Sequence, residues 1–210
     1  MALDLEEQEQ IAELKAWWRQ HGTRILSIIA AVAVGFAGWV AYRSYSQSQS
    51  QQASALYEQV AKAAGANDAK ALRDASGALA ESYSGTAYAS MGALLAARHY
   101  YDRNDLKSAK AQLQWVLERG SSDDFKDLAR LRLAAVLLDE KAHDEALKLL
   151  EAKPAAAYEA QYAALRGDVL VAKNQAAEAK AAYKLALEKS DRKNAAFQES
   201  VRMRLEALGG

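Results

Sequence analysis

Residues 94–118, LLAARHYYDRNDLKSAKAQLQWVLE, decide the fold, because their pattern returns twice downstream. It recurs as RLAAVLLDEKAHDEALKLLEAK at 132–153 and as LRGDVLVAKNQAAEAKAAYKLALEK at 165–189. Each stretch reads as an apolar helix, a short polar turn, and a second helix with an alanine and a large apolar residue four positions on. The aligned alanines are Ala109, Ala146 and Ala179, spaced by 37 and 33 residues. The first helices carry a small residue at Ala97, Ala134 and Gly167, and a large one three positions later at Tyr100, Leu137 and Leu170. The second helices carry Leu113, Leu150 and Tyr183 four after the alanine. This is a packing code. Where two helix backbones cross closely only a small side chain fits, and the large one fills the hole beside it.

Spacings of 37 and 33 bracket the roughly 34-residue period of tetratricopeptide repeats. They predict a TPR-like α-solenoid. Upstream, residues 53–82 read as a degenerate first repeat, with breaks at Gly65-Ala66-Asn67-Asp68 and at Tyr83-Ser84-Gly85. Downstream, Phe197, Val201, Leu205 and Leu208 form one stripe of a closing helix, amphipathic as a terminal cap should be. Composition agrees with an all-α fold. Alanine dominates the apolar half, Glu, Lys, Leu, Gln and Arg fill most of the rest, and Pro154 is the single proline. These side chains lose little freedom in a helix. Alternating runs of Val, Ile and Thr are missing, so no strand is expected.

The N-terminal part obeys a different rule. Residues 25–42, ILSIIAAVAVGFAGWVAY, are 18 positions without a charge. At ~1.5 Å per residue they span roughly 27 Å, close to the hydrocarbon thickness of a bilayer. Trp17 and Trp18 precede the stretch, and Trp39, Tyr42 and Tyr45 stand at its other end, where aromatic rings suit the headgroup level. A cleaved signal peptide would begin short and basic, whereas Asp4, Glu6, Glu7, Glu9 and Glu13 lie ahead of this span. The expected organisation is a cytoplasmic segment 1–24, a single transmembrane helix 25–42, a polar stretch 43–52 and a periplasmic repeat domain 53–210. The polar stretch, RSYSQSQSQQ, reads equally as a tether or as a continued helix. Lys15, Arg19 and Arg24 on one flank against Arg43 on the other place the N-terminus in the cytoplasm. Ala30, Ala33, Ala37 and Ala41, with Gly35 and Gly38 nearby, form a candidate packing face for another membrane helix. Many single spans are equally rich in small residues without a partner.

Twenty-seven basic residues balance 27 acidic ones. The absence of a basic excess argues against nucleic acid, whose binding needs clustered Lys and Arg. There is no cysteine, which excludes disulfides, thiol nucleophiles and Cys-ligated zinc. His21, His99 and His143 are scattered, with no metal-ligand spacing, and neither a Gly-rich phosphate loop nor Gly-x-Ser-x-Gly occurs. The expectation is a protein without enzymatic activity, cofactor or metal.

What remains is surface. In repeat solenoids of this kind the first helix of each repeat lines the concave side. That register selects Met91, Leu94, Arg98, Tyr101 and Asp102, then Leu128, Leu131, Ala135 and Asp139, then Gln161, Asp168 and Val171. The mixture of apolar and charged groups suits an extended polypeptide, and repeat-against-repeat packing is the other role open to some of them. The groove is either open or filled by the chain's own C-terminal helix.

The stretch EEQEQIAELKAWWRQHG at 6–22, the span ending in Gly38-Trp39, the tyrosines after it and LRGD at 165–168 together resemble the YfgM family over essentially the whole chain. The resemblance implies an ancillary subunit of the Sec translocon in a Gram-negative inner membrane, with its repeat domain in the periplasm. It implies as partners the SecYEG channel, the membrane-anchored chaperone PpiD and emerging secretory polypeptides, to be chaperoned or handed on. The family's cytoplasmic segment is also connected with stress-response regulation. No catalytic residue carries over. A TPR scaffold for a different envelope complex, in division or outer-membrane assembly, would share this fold and topology and differ only in partner.

Overall fold

The computed structural model describes residues 5–209 and divides into two compact units, with the boundary between Ser48 and Gln49. The first unit belongs to one long helix, α1 (Leu5–Gly65), whose residues 26–42 are all exposed. Leu26, Ile28, Ile29, Val32, Val34, Phe36 and Val40 present apolar side chains in all directions. A helix satisfies its own backbone, so an apolar exterior of this length is what a bilayer accepts and water does not. α1 is long and apolar enough to cross a membrane. The guanidinium of Arg43 lies 5.4 Å from the Trp39 ring centroid, so charge and aromatic surface meet where the apolar stretch ends. Residues 43–52 are helical within α1. Ala30, Ala33, Ala37 and Ala41 share one side of the helix, but Gly35 stands roughly 140° round from Ala30 at about 100° per residue, off that strip.

The second unit is built from helix pairs. The end of α1 pairs with α2 (Ala69–Ser82), α3 (Ala87–Asp102) with α4 (Leu106–Arg119), α5 (Asp123–Asp139) with α6 (His143–Leu149), and α7 (Glu159–Ala172) with α8 (Ala176–Lys189). A final helix, α9 (Ala195–Ala207), packs on α8. From α2 onward each helix touches the next, and α5 also touches both α3 and α7, so these first helices form one layer with the second helices behind it. Among the described residues no strand occurs. The TPR-like reading and the closing helix are both borne out.

The packing code explains the core. Ala109, Ala146 and Ala179 are each 0% exposed, and Ala97, Ala134, Tyr100, Leu137, Leu170, Leu113, Leu150 and Tyr183 are all buried. The fit is tightest at Gly167, where an added Cβ would stand 2.4 Å from the Tyr183 ring. Each pair also turns in the same way. Asn67, Asn104, Lys141 and Asn174, between the two helices of the four pairs, all adopt left-handed backbone with φ of 57–62°. Asparagine tolerates this conformation better than most residues. The first pair keeps the turn but not the code, with Val60 and Leu72 buried where the later pairs hold Ala or Gly and Ala. That exchange of small for large is why its sequence looks degenerate.

α6 is the irregular member, 7 residues long against 14 for α4 and α8. A buried carboxylate organises the chain that follows. Asp127 accepts from the Ala155 backbone N–H at 2.7 Å and from Arg130 at 2.6 Å, while the Tyr162 hydroxyl donates to the Asp127 carbonyl at 2.9 Å. The loop around Pro154 is thereby tied to α5, ahead of a single 3₁₀ turn (Ala156–Tyr158).

Candidate partner-binding face

The face formed by α3, α5 and α7 is where the sequence places binding residues, and the structure sorts them into three groups. Arg98, Tyr101, Asp102 and Ala135 line a groove of about 360 Å3 whose apolar surface comes from Ala97, Leu113 and Val136. Asp139 joins them through the Tyr101 hydroxyl, which donates to its Oδ2 at 2.5 Å and so links the ends of α3 and α5. That hydrogen bond, aided by burial and by the negative charges of Asp139 and Asp102, pushes the Tyr101 phenol above its ordinary value. Arg98 and Asp102 pair at 3.7 Å along one face of α3, both largely in water, an arrangement of small energetic weight. Ala97 and Ala135 are small, so the groove floor is recessed and has room for a partner's side chain.

A second group is exposed on the same layer without lining that groove. Met91 at the start of α3 and Val171 near the end of α7 are 37% and 39% exposed. More than a third of each side chain's apolar surface is open to solvent.

A third group is used internally. Leu94 is 5% exposed and lies in the core with Ala93, Ala97 and Leu113, so its side chain is not available to a partner, contrary to the sequence expectation. Leu128 and Leu131 pack partly buried against the same core, repeat against repeat. Gln161 is half-buried in the first turn of α7. Asp168 is also engaged. Its carboxylate accepts two hydrogen bonds from Arg204 of α9, at 2.8 and 3.0 Å, and a third from the Tyr183 hydroxyl at 2.8 Å. Burial, then the bond to Asp168, raises the Tyr183 phenol far above the ordinary tyrosine range. Asp168 therefore fastens the closing helix, and its charge is already balanced by Arg204.

Arg132 was not on the sequence's roll of binding residues, yet it lines the same groove. It is half-buried, and among the described residues its one hydrogen bond is to the Leu94 carbonyl at 3.4 Å. The signal was present in the repeat register. Arg132 stands where the neighbouring first helices carry Leu95 and Leu165.

With this geometry in view, comparison with known proteins is informative. A family model described as a tetratricopeptide repeat-like domain matches residues 15–210. A protein of Neisseria gonorrhoeae (strain ATCC 700825 / FA 1090) named an ancillary SecYEG translocon subunit is 29% identical over 209 residues, 99% of this chain and 100% of that protein. Proteins of the same name from Escherichia coli (strain K12) and Haemophilus influenzae (strain ATCC 51907 / DSM 11121 / KW20 / Rd) are each 29% identical. The first of these covers 96% of both chains, the second 89% of this chain and 91% of its own. The resemblance to the YfgM family drawn from the residues is borne out by these relatives.

Proposed function

The chain belongs to the tetratricopeptide repeat-like domain family, and from that premise we propose that it is a membrane-anchored accessory subunit of the Sec translocon. The carrying observation is that its likeness to ancillary SecYEG translocon subunits runs through both of its parts, the apolar helix and the repeats. The family model likewise begins at residue 15, so it too takes in the apolar helix together with the repeats.

In this reading α1 spans the inner membrane with the N-terminus in the cytoplasm, supported by Lys15, Arg19 and Arg24 on one flank against Arg43 on the other. The strip Ala30, Ala33, Ala37 and Ala41 offers the channel a close helix approach. The repeat domain works in the periplasm as a scaffold. Its first-helix face, around Arg98, Tyr101, Asp102 and Asp139, holds emerging secretory polypeptides in extended form and passes them on with a membrane-anchored chaperone of the PpiD type. Nothing in that task requires bond chemistry. It requires a surface that grips many sequences weakly, which alternating apolar and charged groups on a rigid helical layer provide.

The test is a photo-cross-linker at Ala37 in the full-length protein in cells, followed by extraction in mild detergent. SecYEG subunits and a PpiD-type chaperone are expected among the cross-linked and co-purifying proteins. Recovery of a different envelope complex, or of this chain alone, would overturn the translocon assignment.

A further inference from the structure

We infer that Arg132 and Arg98 together form a subsite for the acidic side chain of an extended polypeptide lying along the first-helix face. The inference rests on the proposal that this face holds polypeptides, and it adds a chemical preference to it.

Arg132 breaks the register of its own fold. Leu95 and Leu165 occupy the same position on α3 and α7, both partly buried against the core, and the helix between them places a guanidinium there. The other half-buried arginine of α5 is treated differently. Arg130 is paired with the buried Asp127 at 2.6 Å. Arg204, more exposed than either, still has Asp168 at 2.8 Å. Arg132 has no carboxylate within ion-pair distance among the described residues, only the long hydrogen bond to the Leu94 carbonyl. A partly desolvated cation without a counter-charge is costly, and the cost is relieved when a carboxylate arrives.

Arg98 lies across the same groove, loosely paired at 3.7 Å with Asp102, and it adds a second donor fork. Burial, then the positive charge of Arg98, lowers the affinity of Arg132 for its proton. One carboxylate between two guanidiniums makes charge-assisted hydrogen bonds to both. The surroundings narrow the ligand further. Asp102 and Asp139 on the rim repel an acidic run, so a single Asp or Glu is favoured. Ala97, Ala135 and Val136 beside the two arginines suit large apolar residues flanking it. Exposed Met91 and Val171 lie on the same helix layer, which favours a chain passing through over a chain that ends there.

The experiment uses the full-length chain in detergent micelles and a short fluorescein-labelled peptide, acetylated and amidated, with a central Phe-Glu-Leu, read by fluorescence anisotropy. Replacing the peptide's Glu by Gln is expected to weaken binding about tenfold or more. Arg132→Met and Arg98→Gln should each weaken the Glu peptide while leaving the Gln peptide within about twofold. Arg166→Gln, an exposed cation outside this groove, should change neither. Arg98 is 72% exposed at its side chain, so Arg98→Gln decides the matter if Arg132→Met lowers the melting temperature. Equal binding of the two peptides, binding of neither, or loss of both to the same degree in the arginine variants overturns the inference. A dependence seen only with a free C-terminal carboxylate also overturns it, in favour of a chain-end site. Recovery of the channel from a peptide-free extract is scored separately, so the translocon assignment and this subsite fail independently.

Discussion

Asp139 and Asp168 look alike in the sequence, two carboxylates on the face made by the first helices, and the structure gives them opposite fates. Asp139 takes one hydrogen bond, from the exposed Tyr101, beside a groove that stays open. Asp168 takes three, two of them from Arg204 of the closing helix, so its charge is balanced within the chain. The same solenoid face is therefore engaged at Asp168 by the chain's own last helix and left open between α3 and α5. A repeat array needs its last apolar surface covered to remain soluble, and it needs an uncovered surface to bind anything. Here the two demands are met at separate repeats.

The largest effect is expected at the closed end. Gly167→Ala drives a Cβ into the Tyr183 ring, which is buried and cannot swing away without losing Asp168. A loss of about 3 kcal/mol is expected from this overpacking, measured by urea or thermal unfolding. Next comes the pair of carboxylates. Asp168→Ala should cost about 1–2 kcal/mol and speed amide exchange throughout α9, whereas Asp139→Ala should cost less than about 0.5 kcal/mol. Equal costs for the two would break the distinction between open and closed ends.

The alkaline limb sharpens it further. An unfolded tyrosine loses its proton near pH 10, while folded Tyr183 holds its proton well above that value, because burial opposes the anion and Asp168 uses the hydroxyl as a donor. The unfolded state then binds fewer protons than the native one, so stability falls as pH rises through and above about 10. Tyr183→Phe should flatten that slope, at a cost of about 1 kcal/mol near neutrality. The smallest effect belongs to the open end. Tyr101→Phe removes one exposed hydrogen bond and should move stability by less than about 0.5 kcal/mol.

Much of this was legible in the residues. The small–large code at Ala97 and Tyr100, Ala134 and Leu137, Gly167 and Leu170 reports local helix contact, and local contact is what sequence period encodes. The stripe of Phe197, Val201, Leu205 and Leu208 likewise announced a covered helix, and these residues pack into the last core cluster. What the closing helix does to Asp168 was hidden, because Arg204 lies 36 positions away and nothing in either residue's neighbourhood names the other. Leu94 was misplaced for a related reason. A solenoid's first helix buries two flanks, one against its partner and one against the next repeat, so the inner register includes residues that pack sideways. Arg132 escaped because a charge on a helix normally marks a solvated face. Only its alignment with Leu95 and Leu165 shows that this one sits in a register the neighbours fill with leucine.

The central claim is that the open part of the first-helix face is the working surface of a translocon-associated scaffold. It is tested most directly by photo-cross-linking in cells actively secreting protein, with one probe at Tyr101 and another at Lys184, exposed on the second-helix layer. The account predicts that Tyr101 captures a ladder of secretory chains and that Lys184 does not. Equal capture at both sites, or capture at Tyr101 of this chain alone, would contradict it.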